Sequence, residues 1–122
     1  MDKLSRARRI HFLTQCLPDY PTSEIGLYFG EHVIRVEGQL CLVVTLKGAV
    51  GIRATDPELE SELHHVCGDQ RWVAHGRVYG QWYLLPEAVI QNVPRLAAWA
   101  RRAASGVIEP TRAQQSGLSS GR

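Results

Sequence analysis

Apolar residues recur at three- and four-residue steps over residues 3–17, where Leu4, Ala7, Ile10, Leu13 and Leu17 make one stripe. That spacing predicts a helix with a single buried side. Asp2 is its expected N-cap, and Lys3, Arg6 and Arg9 fall on another face with Arg8 beside them. Pro18 ends the helix, and Asp19-Tyr20-Pro21-Thr22-Ser23 reads as a loop. The period then drops to two. Strands are expected over 25–36, with a break point at Gly30, and over 39–46 and 49–54. Glu37-Gly38 and Lys47-Gly48 supply the tight turns, because a hairpin tip needs positive φ and glycine adopts it without steric cost.

The middle strand departs from simple alternation. Leu40, Leu42 and Val44 fall on one face, and Cys41 and Val43 on the other. A strand with only one face on a core alternates apolar with polar. The second face of this one is therefore expected to be covered too.

Thr55-Asp56-Pro57-Glu58 has the form of a helix start, with Thr55 as cap, Pro57 in the first turn and Glu58 closing a capping box. Leu59, Leu63 and Val66 form its inward stripe, and Gly68 stops it. Strands are expected near 71–75 and 78–85 around a Gly76-Arg77 turn. Pro86-Glu87 opens another helical segment, restarted at Asn92-Val93-Pro94. Leu96, Trp99, Ala100 and Ala103 then face inward, with Arg95, Arg101 and Arg102 outside. From Ser105 the composition turns to Ser, Gly, Gln and Arg, too poor in apolar surface to offset its ordering entropy. The order is α-β(3)-α-β(2)-α. It predicts a two-layer α+β fold with an antiparallel sheet, one domain over residues 1–104 and a disordered tail over 105–122.

A chain of 122 residues suffices for one domain with its own core. It contains no apolar run of the roughly 18 residues that a membrane span needs. The start Met-Asp-Lys-Leu-Ser-Arg has no apolar signal region, and Cys16, Cys41 and Cys67 form no paired framework. Both features lead to the expectation of a cytoplasmic protein. The net charge of +2 conceals an asymmetry, since residues 19–87 hold ten acidic and five basic side chains and the two ends hold two and nine. If the end helices pack side by side, Lys3, Arg6, Arg8, Arg9, Arg101 and Arg102 form one patch suited to nucleic acid. Otherwise they are solvated helix faces.

Catalytic chemistry finds little footing. Zinc needs four convergent ligands, whereas adjacent His64 and His65 point about 100° apart on a helix of 3.6 residues per turn. Cys67 can join His64, yet no Cys-x-x-Cys or His-x-x-x-His completes a set with them or with His75. Cys41 reads as a core residue, and Cys16 and Cys67 lack a recognisable oxyanion donor. Gly76-x-x-x-Gly80 lacks the Gly-Lys-Ser/Thr of a phosphate loop. Trp72, Trp82 and Tyr83 can stack on bases, but a core role explains them more simply. No cofactor and no metal are expected.

Several motifs, in order, carry a family resemblance. Tyr28-Phe29-Gly30 precedes the turn Val36-Glu37-Gly38-Gln39-Leu40; Gly76-Arg77, Trp82, Leu85 and Pro86-Glu87 follow, then Trp99 to Ala103. Over residues 3–104 this resembles the TfoX (Sxy-like) N-terminal-domain family, associated with regulation of natural competence. Glu31 and Val33 stand where the family pattern carries glycines. The resemblance is to the N-terminal domain alone, without the second domain of full-length regulators. It implies structural roles for Phe29, Gly30, Gly38, Gly76, Arg77, Trp82 and Pro86. It also implies a non-enzymatic regulatory or protein-interaction module, acting as a homodimer. A nucleic-acid-binding module using the basic ends is the alternative.

Overall fold

Three Xaa-Gly dipeptides shape the sheet. Phe29-Gly30, Glu37-Gly38 and His75-Gly76 each place two consecutive residues at positive φ, between 43° and 83°. Each dipeptide is the whole loop of a hairpin, since Tyr28 pairs with Glu31, Val36 with Gln39 and Ala74 with Arg77. Two-residue hairpins favour this mirror-image turn because its twist matches that of the flanking strands.

The computed structural model describes residues 3–17 and 23–119, with side chains over 5–17 and 23–107. In chain order the elements are α1 (Lys3–Gln15), β1 (Glu24–Tyr28), β2 (Glu31–Val36), β3 (Gln39–Val44), β4 (Val50–Arg53), α2 (Pro57–Cys67), β5 (Arg71–Ala74), β6 (Arg77–Leu84), α3 (Glu87–Ile90) and α4 (Val93–Ser119). The six strands form one antiparallel sheet in the order β1-β2-β3-β4-β6-β5. The α+β class and antiparallel sheet are as expected, with one strand more. The segment 25–36 is a hairpin rather than one strand, because Phe29 and Gly30 turn it back on itself. The proposed cap Asp2 lies outside the described residues.

One face of the sheet carries α1, α2 and α4. Ile10, Leu13 and Leu17 meet Ile34, Leu42, Val44 and Ile52, joined by Leu59 and Leu63 of α2 and Leu96, Trp99 and Ala103 of α4. The opposite face holds a smaller aromatic cluster of Val33, Val43, Trp72, Ala74 and Trp82. The doubly apolar middle strand is thus covered on both sides, as expected. The cover comes from the sheet itself. Tyr28 of β1, at one end of the strand order, lies 5.6 Å ring to ring from Trp72 of β5 at the other end. Its hydroxyl is 2.8 Å from that of Tyr79 on β6. Strands at opposite ends touch only if the sheet curls over its second face.

Four local expectations are corrected. On β3, Cys41 joins Leu42 and Val44 in the helix-side core while Leu40 and Val43 go to the other face. The β2–β3 register shifts between Ile34 and Arg35, so Ile34 faces Leu42 but Arg35 faces Leu40. Cys41 is the extra residue of a bulge, which re-aims its side chain. Asp56, not Thr55, caps α2, with its Oδ1 accepting from the Leu59 amide at 2.7 Å. The Thr55 hydroxyl instead donates to the Ala103 carbonyl at 3.0 Å. Gly68 closes α2 as expected, its amide donating to the His64 carbonyl at 2.8 Å. The turn expected at Gly76-Arg77 lies one residue earlier, and Arg77 opens β6. Finally, the packed domain continues past 104. α4 runs on as helix, Val107 is buried, and a Cβ on Gly106 would collide with Thr55 Oγ1. Gly106 permits that close approach rather than starting a tail.

Candidate interaction surface

β1 sits at the end of the strand order and, among the described residues, its backbone pairs with β2 alone. Its sequence is Glu-Ile-Gly-Leu-Tyr. Side chains alternate faces along a strand, so Ile25 and Leu27 share the helix side with their register partners Ile34 and His32. Ile34 is fully buried, yet Ile25 is 47% exposed and Leu27 63% exposed. On the other side Tyr28 joins the aromatic cluster, and the Arg35 guanidinium covers Gly26, where an added Cβ would come within 2.6 Å of Nη1. Proteins usually blunt a free strand edge with lysine, proline or a bulge. β1 has none of the three.

The β1–β2 turn is fixed in place from outside the strand. The Phe29 ring lies 3.5 Å, centroid to centroid, from His75 at the tip of the β5–β6 hairpin. Just after it, the buried Glu31 carboxylate accepts from the Trp72 indole N–H at 2.7 Å and from the Leu46 amide at 2.9 Å. Glu31 therefore ties β2 to β5 and to the β3–β4 turn. It carried no signal in the sequence beyond standing where the resembled family has glycine.

The motif residues divide. Gly30, Gly38 and Gly76 occupy the positive-φ turn positions, Trp82 is buried against Trp72 at 4.8 Å, and Pro86 precedes α3 in extended backbone. Arg77 lies on the hairpin with its guanidinium 5.3 Å from the Tyr79 ring. Phe29, given a structural role by the resemblance, is 56% exposed. The first position of a mirror-image turn projects outward, so Phe29 belongs to the surface.

Three of the basic residues have partners within the described structure. Arg9 pairs with Glu87 at 2.7 Å and donates to the Gly48 carbonyl at 2.7 Å. Arg102 pairs with Glu62 at 2.6 Å. Arg101 donates to the Cys16 carbonyl at the end of α1. Arg6 is half-buried, Arg8 is exposed, and Lys3 opens α1 with its side chain outside the described residues. The Arg102 hydrogen bond, helped by the Trp99 indole, holds the Glu62 carboxyl below its usual range, and Arg9 with Gln91 does the same for Glu87.

Trp72, Trp82 and Tyr83 are all buried and offer no stacking surface. The three cysteines are buried and unpaired. Burial pushes the Cys41 thiol up to about 12 and that of Cys67 to about 11, and raises Cys16 as well, so the nucleophilic thiolate is disfavoured at each. Among the described residues, no three His, Cys, Asp or Glu side chains are grouped to hold a metal ion. No helix among them is long and apolar enough to cross a membrane. No protein-family model matches the chain, and no curated protein matches it.

Proposed function

We propose that this chain is a non-enzymatic regulatory module of the cytoplasm that binds another polypeptide by strand addition at β1. The edge of β1, unpaired among the described residues and with Ile25 and Leu27 exposed beside it, carries the reading. In this mode main-chain hydrogen bonds supply affinity and alternate side chains supply specificity. The motif resemblance to TfoX N-terminal domains supports a regulatory role for such a surface. The nucleic-acid alternative has less to draw on, because Arg9 and Arg102 spend their charge on Glu87 and Glu62.

Affinity capture from native extract tests the reading, with the parent chain and Leu27→Lys as baits, each with and without nuclease. The expected result is a protein retained by the parent, lost with Leu27→Lys and indifferent to nuclease. Retention that nuclease abolishes and Leu27→Lys leaves intact would favour the nucleic-acid alternative instead.

A further inference from the structure

We infer that the strand added to β1 is β1 of a second copy, antiparallel, with the two-fold axis passing through Gly26. This rests on the strand-addition reading of the edge and names its partner. A closed dimer uses the same patch on both copies, so the patch must complement itself. With Gly26 on the axis, Ile25 faces Leu27 of the second copy and Glu24 faces Tyr28 of the second copy. This register alone pairs all five residues of Glu24–Tyr28. It also keeps the helix layers of both copies on one side of a continuous twelve-stranded sheet, two sets of the six strands seen here.

Two features of β1 fit that arrangement. Ile25 and Leu27 alternate with Gly26, so their exposed side chains and the two from the second copy form one apolar ridge across the axis. Facing apolar pairs of this kind are the unit of sheet stabilisation. The two acids also stand apart. Glu24 is the strand's single charged residue, and its twin lies four residue steps away, about 13 Å at 3.3 Å per residue. On the face opposite the ridge the Arg35 guanidinium lies over Gly26, so each copy brings one guanidinium to the axis, with Glu24 as its cross-strand partner within the same copy. The far edge offers nothing comparable: β5 has four residues, a bulge between Arg71 and Trp72, and an arginine at its start.

Cross-linking reads the register directly. Chains carrying Ile25→Cys are mixed with chains carrying Leu27→Cys and oxidised, alongside each variant alone, and the oligomeric state of the parent is followed by sedimentation velocity. Both sites are exposed, and the native thiols are buried. The mixture should give about fivefold more cross-linked dimer than either variant alone, because only directly facing positions bring Cβ atoms near disulfide range. A parent that stays monomeric at several hundred micromolar, with no cross-link, overturns self-pairing and leaves strand addition to a different partner. Cross-linking strongest with Ile25→Cys alone keeps the edge but overturns the register. A dimer that persists in Leu27→Lys without cross-linking overturns both the inference and the reading beneath it.

Discussion

The two ends of the sheet expose aliphatic side chains to nearly the same degree, Leu27 on β1 at 63% and Val73 on β5 at 57%, yet they are built differently. Val73 faces Val78 across its own hairpin, an exposed pair that is already matched. β5 is also anchored on its flanks. Arg71 donates to the carbonyls of Gly80 and Gly68 and lies 4.0 Å over the Tyr83 ring, while Trp72 turns inward to Glu31. β1 itself carries neither an arginine nor a bulge, and Leu27 faces His32 with no strand paired on its outer flank among the described residues. Exposure alone therefore does not define a binding surface. What marks β1 is exposure beside a run of backbone that is unpaired among the described residues.

The largest expected effect comes from undoing the anchoring of β5. Trp72→Ala should cost about 3–5 kcal/mol in urea unfolding, the usual loss for a buried large aromatic. It also leaves the Glu31 carboxylate without its indole donor. A loss below roughly 0.5 kcal/mol would mean that the curl of the sheet does not depend on this residue. A smaller effect should follow from Tyr79→Phe, which removes the hydroxyl that meets Tyr28 across the curl. About 0.5–1.5 kcal/mol is expected, and Tyr28→Phe added to it should cost little more, since the two hydroxyls act as one pair.

The smallest effect lies away from both ends and sets a baseline for them. Glu87 has its carboxyl held below the ordinary 4.5 by Arg9 first and Gln91 second. A lowered folded value contributes stability above the unfolded value and loses it as pH falls through the folded one. Thermal melts should therefore show a slight loss below pH 4.5 that Glu87→Gln removes. The group is well exposed, so screening keeps the change small.

Much of the fold was legible because it rests on local chemistry. The Glu37-Gly38 turn follows from the need for positive φ, α2 from Pro57 and Gly68, and the covered second face from the unbroken apolar run on β3. The misreadings share a cause, which is that a tertiary contact overrode a local rule. A phenylalanine at positive φ is uncommon, so nothing in the sequence marked Phe29 as a turn residue facing outward. A period of two does not reveal a bulge, and Cys41 changed sides. Thr55 and Asp56 are adjacent and equally able to cap; the approach of α4 gave Thr55 another partner. The composition from Ser105 read as a tail, whereas α4 continues there and the tight contact at Thr55 requires Gly106.

The candidate surface was less legible. Ile-Gly-Leu-Tyr reads as buried strand, and only the strand order shows that it is an edge. The ion-pair partners of Arg9 and Arg102 lie 78 and 40 residues away, beyond any local pattern.

The contrast between the two edges is tested most directly by placing the same charge on each. Leu27→Lys and Val73→Lys alter equally exposed sites and should both leave the melting temperature nearly unchanged. Compared with the parent by sedimentation velocity over a concentration series, Val73→Lys should associate like the parent, and Leu27→Lys should associate roughly tenfold more weakly or not at all, since a lysine blunts a strand edge. If Val73→Lys dissociates the protein and Leu27→Lys does not, β1 is not the interaction edge and the account is wrong.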